Sequence, residues 1–279
     1  MTSATDQLDA TTYAELQEIA ARYPQPRSGL LPMLHLVQSA MGRITAAGIE
    51  ACAEILQIST ADVSGVATFY TMYKRRPVGD YHVGVCTNTL CAVMGGDAIF
   101  ERLKSHLDVG NDEMTERRPQ DMSTLTLEHI ECNAACDYAP VMTVNWEFMD
   151  NMTPESAIAL VDDLRSGKKV RSTRGPAICS WREAERVLAG FNDGLADMGP
   201  TAGPASLVGL SIAREQGWTA PEAEGAAQAT GSKQAAAEEA DTFRAESETK
   251  VEESPAETRH EDTAEAKDAD GAKPGEGDE

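Results

Sequence analysis

Apolar residues along the first 78 positions recur at the spacing of α-helices. Between Tyr13 and Tyr23, apolar and aromatic side chains lie three or four positions apart, which places them on one face of a helix. Thr12 followed three residues later by Glu15 fits a capping box at the start of that helix. Three further helical stretches follow with short connections, so the pattern predicts a helical bundle over residues 1–78.

From residue 79 the pattern changes from helical to alternating. The segments GDYHVGVC, TLTLEHIEC and VMTVNWEFM are each predicted to form one β-strand. An amphipathic helix, GGDAIFERLKSHLDV, separates the first two, and TPESAIALVDDLRSG closes the region, with Thr153 as N-cap and Pro154 at the first helical position. The order strand, helix, strand, strand, helix predicts an α/β domain over residues 79–167.

Two segments of different composition follow this domain. Residues 168–218 contain a basic stretch, a short helix with a capping box at Ser180 and Glu183, and a Gly/Pro-rich loop, and they predict a C-terminal extension. Residues 219–279 contain 18 acidic and 6 basic residues and a single aromatic residue, Phe243. Such a segment has too little apolar surface to offset the entropy lost on ordering, so we expect a disordered acidic tail.

The overall charge bears on the partners of the chain. It has 46 acidic and 24 basic residues, a net charge of −22. Nucleic acids and anionic membrane surfaces are polyanions, so neither is expected as the main partner. No apolar run approaches the ~20 residues that span a bilayer, and the N-terminal residues lack the pattern of a secretory signal. The expected location is the cytoplasm, where cysteines stay reduced unless they bind a metal.

Four of the six cysteines form two pairs, each at the end of a predicted strand. Cys86 and Cys91 are separated by four residues, and Cys132 and Cys136 by three. If the two strands are neighbours in one sheet, the four thiols converge at one edge, which indicates zinc or an iron–sulfur cluster. Structural zinc prefers C-x2-C pairs, whereas both loops here are wider and built of small residues. The spacing therefore favours a [2Fe–2S] cluster over zinc and leaves zinc as the alternative.

The residues around these cysteines resemble a known family. VCTNTLCAVMGG and ECNAACDYAPVMTVNWEFMDNMTPES are similar to the thioredoxin-like [2Fe–2S] subunit of respiratory NADH:quinone oxidoreductase, the E subunit of bacterial complex I. ARYPQPRSGLLPMLHLVQSAMG and GVATFYTMY resemble the helical N-terminal part of the same family. The resemblance extends over residues 12–167.

The resemblance implies a fold and a set of ligands. The fold class is α/β, an N-terminal helical bundle followed by a thioredoxin-like [2Fe–2S] ferredoxin domain, with the acidic tail outside the family pattern. The implied iron ligands of the single cluster are Cys86, Cys91, Cys132 and Cys136.

The resemblance also implies a function and an assembly. The chain would be an electron-transfer subunit of an NADH dehydrogenase, without a complete active site of its own, that exchanges single electrons with FMN in an adjacent NADH-binding flavoprotein subunit. It would belong to the peripheral arm of complex I on the cytoplasmic face of the inner membrane. The chain has no phosphate-binding glycine motif, which agrees with this division. The alternatives are an equivalent subunit of an NAD-linked hydrogenase or formate dehydrogenase and, further away, a zinc-stabilised interaction module.

The positions of the other two cysteines, and of the residues near the two cysteine pairs, suggest roles for them. Cys52, in a helix interior, and Cys179, before a helix cap, are expected to be structural. The residues expected to donate hydrogen bonds to the bound group or to shield it are Thr87, Thr89, Asn133, Val93 and Met94.

Overall fold

The computed structural model describes residues 8–195, 198–200 and 202–219. The chain divides into two units, Met1–Gly217 and Trp218–Glu279, and the helices and strands given below belong to the first. The predicted acidic tail, residues 219–279, lies outside the described residues except for Thr219.

Four helices make up the N-terminal part, as the apolar periodicity predicts. They are α1 (Ala10–Ala21), α2 (Leu30–Met41), α3 (Ala46–Leu56) and α4 (Thr60–Phe69), with a 3-10 turn at Pro26–Gly29. Their apolar faces share one core. Cys52 is completely buried in that core, and burial raises the pKa of its thiol to about 12.

The first helix begins earlier than the predicted cap. Asp9 is the N-cap, and its carboxylate accepts a hydrogen bond of 2.8 Å from the backbone N–H of Thr12. Thr12 lies inside the helix and is buried, so the capping box predicted at Thr12 and Glu15 is wrong. Aspartate is as good a cap as threonine, and the earlier start leaves Glu15 free to pair with Arg186 at 2.6 Å.

Five strands form one mixed sheet in the order β2–β3–β1–β4–β5. Their bounds are β1 (Tyr81–Cys86), β2 (Glu113–Met114), β3 (Leu125–Ile130), β4 (Met142–Val144) and β5 (Glu147–Met149). Strands β1 and β3 are parallel, and every other pairing is antiparallel. The crossover from β1 to β3 contains α5 (Thr89–Val93) and α6 (Gly96–Leu107), and α7 (Pro154–Arg165) follows β5.

The predicted third strand is a hairpin, and β2 was not predicted. Asn145 and Trp146 both have positive φ, +47° and +72°, which suits a two-residue hairpin turn. Tryptophan rarely adopts this conformation, so the sequence gives little sign of the turn. Tertiary contacts hold it: the Asn145 side-chain oxygen accepts a 2.7 Å hydrogen bond from the N–H of His82, and the Trp146 indole donates one of 3.0 Å to Glu185.

The alternation of the strands separates two faces of the sheet. One face packs against α6 and α7 in a core that includes the fully buried residues Val83, Val85, Leu127, Val144, Ile99, Leu103 and Val161. The other face carries His82, Gly84 and Cys86 of β1, because successive side chains of a strand point to opposite sides. The predicted cap of α7 is confirmed, since Thr153 accepts from the N–H of Ser156 and Pro154 is the first helical residue.

Two helices follow the sheet domain within the described residues. In α8 (Trp181–Leu188), the predicted capping box of Ser180 and Glu183 is present. The Gly/Pro-rich segment is not a loop throughout, because α9 (Pro204–Glu215) begins within it. Proline at the first helical position is favourable, which explains a helix where the composition predicts a loop. None of the helices in the described ranges has the length and apolarity that crossing a bilayer requires.

Candidate metal centre

The two cysteine pairs follow the ends of two adjacent parallel strands. Cys86 is the last residue of β1, and Cys91 lies in α5 directly after it. Cys132 comes two residues after the end of β3, and Cys136 opens a 3-10 turn. Because β1 and β3 are parallel and in register, both pairs lie at the same edge of the sheet.

The four thiols line one pocket. Cys86 and Cys91 form its buried side, whereas Cys132 is exposed and Cys136 is intermediate. The other lining residues are Ile130, Asn133, Ala135, Val141, Met142 and Thr143. The convergence expected from the sequence is present, and the ligand assignment itself remains a prediction.

Within the pocket the cysteines lie as two pairs. The sulfur atoms of Cys132 and Cys136 are 3.6 Å apart, and Cys86 and Cys91 are buried together in one small apolar cluster. In the described part of the chain, no three His, Cys, Asp or Glu side chains are grouped as ligands of one metal ion. A [2Fe–2S] cluster is held by four cysteines, two on each iron, and two pairs match that donor set.

Two of the four thiols, those of Cys91 and Cys136, have a raised pKa. Burial, with a smaller contribution from Cys86, raises the pKa of Cys91 to about 11. The hydrogen bond with Cys132 and then burial raise the pKa of Cys136. A metal bound at this site would displace the protons of these two thiols, because the thiolate is the ligand form.

Backbone geometry shapes the rim of the pocket. Ala134 has φ +55° and donates its backbone N–H to the sulfur of Cys132 at 3.4 Å. The side chain of Asn88 donates to the carbonyl of Ile130 at 3.2 Å and so ties the two cysteine loops together. Backbone N–H groups directed at sulfur offset negative charge there, which is one of the levers on a cluster's potential.

A glycine allows α6 to lie close to the backbone of the first cysteine pair, Cys86 and Cys91. A Cβ atom at Gly96 would clash with the carbonyl oxygen of Cys86 and lie 2.9 Å from that of Cys91. Any other residue at this position would push the helix away from the pocket. The GG dipeptide after the first pair is therefore part of the site's construction.

The residues predicted to surround the bound group are only partly found there. Asn133 lines the pocket, whereas Thr87, Thr89, Val93 and Met94 are not among its lining residues. Val93 is 78% exposed and Met94 57%, because α5 turns these two side chains outward while Cys91 faces inward. Their predicted shielding of the pocket is wrong.

Cys179 lies outside the pocket, and Thr143 is a pocket residue that the sequence did not suggest. Cys179 is half-buried next to α8, and burial raises the pKa of its thiol to about 11. Thr143 is 3% exposed, and its hydroxyl oxygen has no hydrogen-bond partner among the described residues. One feature of the sequence could have indicated Thr143: it is a polar residue within an apolar strand, on the face opposite Met142 and Val144.

Comparison with known proteins identifies the family of the chain. A family model described as thioredoxin-like [2Fe-2S] ferredoxin matches residues 16–165. The E subunit of NADH-quinone oxidoreductase from Mycobacterium tuberculosis (strain ATCC 25618 / H37Rv) is 56% identical over 213 residues, which cover 76% of this chain and 82% of that protein. An E subunit of the same enzyme from Rhizobium meliloti (strain 1021), numbered 2 there, is 32% identical over 167 residues, 60% of this chain and 96% of that protein.

A eukaryotic relative shows the same likeness. The mitochondrial NADH dehydrogenase [ubiquinone] flavoprotein 2 of Dictyostelium discoideum is 34% identical over 160 residues, 56% of this chain and 63% of that protein. The chain belongs to the thioredoxin-like [2Fe–2S] ferredoxin family and, within it, to the E subunits of NADH-quinone oxidoreductase.

Proposed function

We propose that this subunit holds one [2Fe–2S] cluster on Cys86, Cys91, Cys132 and Cys136 and exchanges single electrons through it. The observation that supports the ligand set most directly is that these four thiols, which follow two adjacent parallel strands, line one pocket. When bound, the cluster supplies a site that takes up and releases one electron at a time.

The protein's own groups hold the cluster and set its surroundings. The buried pair, Cys86 and Cys91, anchors one side against the apolar residues Ala135 and Val141. The N–H of Ala134 points at the sulfur of the outer pair. This asymmetry leaves the Cys132 side as the shortest route between the pocket and the surface.

The electron partner that we propose is the flavoprotein subunit that binds NADH and FMN. NADH gives up two electrons as a hydride, so a flavin is needed to divide them for a one-electron site. Three exposed apolar side chains near Cys91 support a protein partner at this edge: Leu90 and Val93 of α5, and Met94 directly after it. The chain would then lie in the peripheral arm of complex I, on the cytoplasmic face of the inner membrane.

The related alternative is the equivalent subunit of an NAD-linked hydrogenase or formate dehydrogenase. The cysteine chemistry is the same in both cases, so the site alone does not favour either. The 56% identity to proteins named as E subunits of NADH-quinone oxidoreductase supports the respiratory complex.

Matched cysteine variants test the ligand assignment. Cys136→Ala removes one proposed ligand, and Cys179→Ala removes a thiol outside the pocket. The iron and acid-labile sulfide of each variant, purified without air, should fall to a small fraction only in Cys136→Ala. The helical circular dichroism should persist in both, because the bundle core does not include the pocket. Full cluster content in Cys136→Ala would reject the assignment.

A further inference from the structure

Thr143 is a buried residue whose hydroxyl has no hydrogen-bond partner in the described part of the chain. It lies in the middle of β4, opposite Gly84 of β1. The side chain is 3% exposed, and its Oγ1 makes no hydrogen bond to any of the described residues. Its strand neighbours Met142 and Val144 point into the apolar core on the other face of the sheet.

An unpartnered hydroxyl at such a position calls for an explanation. Most buried polar side-chain atoms in proteins have a hydrogen-bond partner, and leaving a donor unsatisfied opposes folding. Valine is β-branched like threonine and would suit the strand without that penalty. The hydroxyl is accounted for if it meets a partner outside the described residues, such as a group bound in the pocket.

The surroundings of Thr143 place that partner in the cysteine pocket. Thr143 lines the same pocket as the four cysteines. A Cβ atom at Gly84 would lie 2.7 Å from the Thr143 hydroxyl oxygen and 2.9 Å from Cγ2 of Ile130. The absence of a side chain at Gly84 thus leaves the hydroxyl open on the face of the sheet that carries Cys86.

We propose, on the basis of the function proposed above, that Thr143 donates a hydrogen bond to a sulfur atom of the [2Fe–2S] cluster and thereby raises its reduction potential. A cluster carries more negative charge after it gains an electron. A donor to sulfur stabilises that reduced form more than the oxidised form, because hydrogen bonds strengthen with the charge of the acceptor. Thr143 would not be an iron ligand, so the cluster should assemble without its hydroxyl.

The other candidate for the hydroxyl is an ordered water molecule in the pocket. A water would satisfy the same donor without a fixed bond from Thr143 to the cluster. The two cases predict different effects on the reduction potential of the cluster. Only a direct hydrogen bond from Thr143 makes the stability of the reduced cluster depend on the side chain at position 143.

The test is a redox titration of the full chain with its cluster, followed by the low-temperature EPR signal of the reduced form. Thr143→Val removes the hydroxyl at nearly constant shape, and Thr143→Ser keeps it. Thr126→Val is the matched control, since Thr126 is a buried threonine of β3 whose hydroxyl accepts from the N–H of Gly79 and does not line the pocket.

We expect Thr143→Val to lower the ratio of reduced to oxidised cluster at a fixed ambient potential by about threefold to tenfold. A tenfold change corresponds to about 59 mV for a one-electron couple. Thr143→Ser and Thr126→Val should have the same midpoint potential as the unsubstituted chain. Because the signal arises only from molecules that hold the cluster, the midpoint is read correctly even if Thr143→Val loads less iron.

Each outcome bears on one claim. Equal midpoints in Thr143→Val, Thr143→Ser and the unsubstituted chain would overturn the role of Thr143 and leave the cluster in place. An unsubstituted chain without iron and sulfide would instead overturn the proposed function. A midpoint lowered in Thr126→Val as much as in Thr143→Val would also reject the proposal, since the effect would then follow from losing any buried hydroxyl of the sheet.

Discussion

Cys86 and Ile130 are paired at the last register position of the two parallel strands β1 and β3. This single relationship brings together loops that are about forty residues apart in the sequence. Cys86 begins one loop, and Cys132 lies two residues beyond Ile130 at the start of the other. The site therefore depends on the register of β1 against β3. It also depends on Gly96, which lies against the backbone of Cys86, and on the contacts that hold the domain together.

Because Gly96 is closely packed, even its replacement by alanine should have a strong effect on stability. Gly96→Ala should destabilise the chain by about 1–3 kcal/mol, as overpacking does, and should reduce the iron content, because the added methyl group meets the backbone of Cys86. Gly65→Ala is the control, since nothing lies within 4 Å of a Cβ at that helical position. It should raise stability by about 0.5–1 kcal/mol. Urea unfolding compares the two, and equal effects would contradict the described packing.

The contacts of Glu185, in α8 of the C-terminal extension, indicate that the extension contributes strongly to the stability of the fold. Its completely buried carboxylate accepts hydrogen bonds of 2.7 Å from Gln38 and 3.0 Å from Trp146, and lies 2.7 Å from His35. Glu185→Ala should cost about 3–5 kcal/mol, because it leaves several buried polar groups without a partner. Glu18→Ala removes an exposed ion pair with Arg22 and should change the free energy of unfolding by less than about 1 kcal/mol. Similar losses in both variants would show that Glu185 has no special role.

A third prediction concerns pH and Glu128. Burial alone would raise the pKa of this carboxylate, but the hydrogen bond and charge of His82, together with Lys74, outweigh burial and lower it. A lowered pKa in the folded state means that the stabilisation is complete above the ordinary glutamate pKa of about 4.5 and is lost as the pH falls below it. The free-energy difference between Glu128→Gln and the unsubstituted chain should be about 1–3 kcal/mol at neutral pH.

That difference should shrink steadily below about pH 4.5, where the carboxyl group becomes neutral like the amide that replaces it. Urea unfolding of both chains across the pH range from neutral to acid measures it. Glu101→Gln, at an exposed pair with Lys104, should show little difference at any pH. A difference for Glu128→Gln that does not change with pH would contradict the lowered pKa.

The start of α1 gives a fourth prediction. Asp9→Ala removes the hydrogen bond to the N–H of Thr12 and should cost about 1 kcal/mol, the usual effect of losing an N-cap. Thr11→Ala changes an exposed neighbour and should be close to neutral. Thermal unfolding distinguishes them, and a larger effect from Thr11→Ala would place the helix start elsewhere.

The sequence predicts the convergence of the cysteines because that feature depends on local rules. Each pair follows an alternating strand, and a crossover helix between two strands makes them parallel. The helical bundle and the caps at Thr153 and Ser180 follow from periodicity and capping chemistry in the same way. These features need no knowledge of distant contacts.

Other features depend on contacts between distant parts of the chain. The turn at Asn145 and Trp146 is held by His82 and Glu185, so the strand pattern alone predicts one continuous strand there. The isolation of the Thr143 hydroxyl depends on the residue that pairs with it across the sheet, which is a glycine. The start of α1 was missed for a different reason, since two suitable caps lie three positions apart and only packing selects between them.

The most direct test of the central claim is an assay of iron and sulfide on the full chain purified without air, with EPR spectra before and after dithionite. Four cysteines arranged as two pairs predict about two irons and two sulfides per chain, with no signal when oxidised and an S = 1/2 signal when reduced. A colourless chain with one zinc ion per molecule would contradict an electron-transfer role and leave the four cysteines with a structural one.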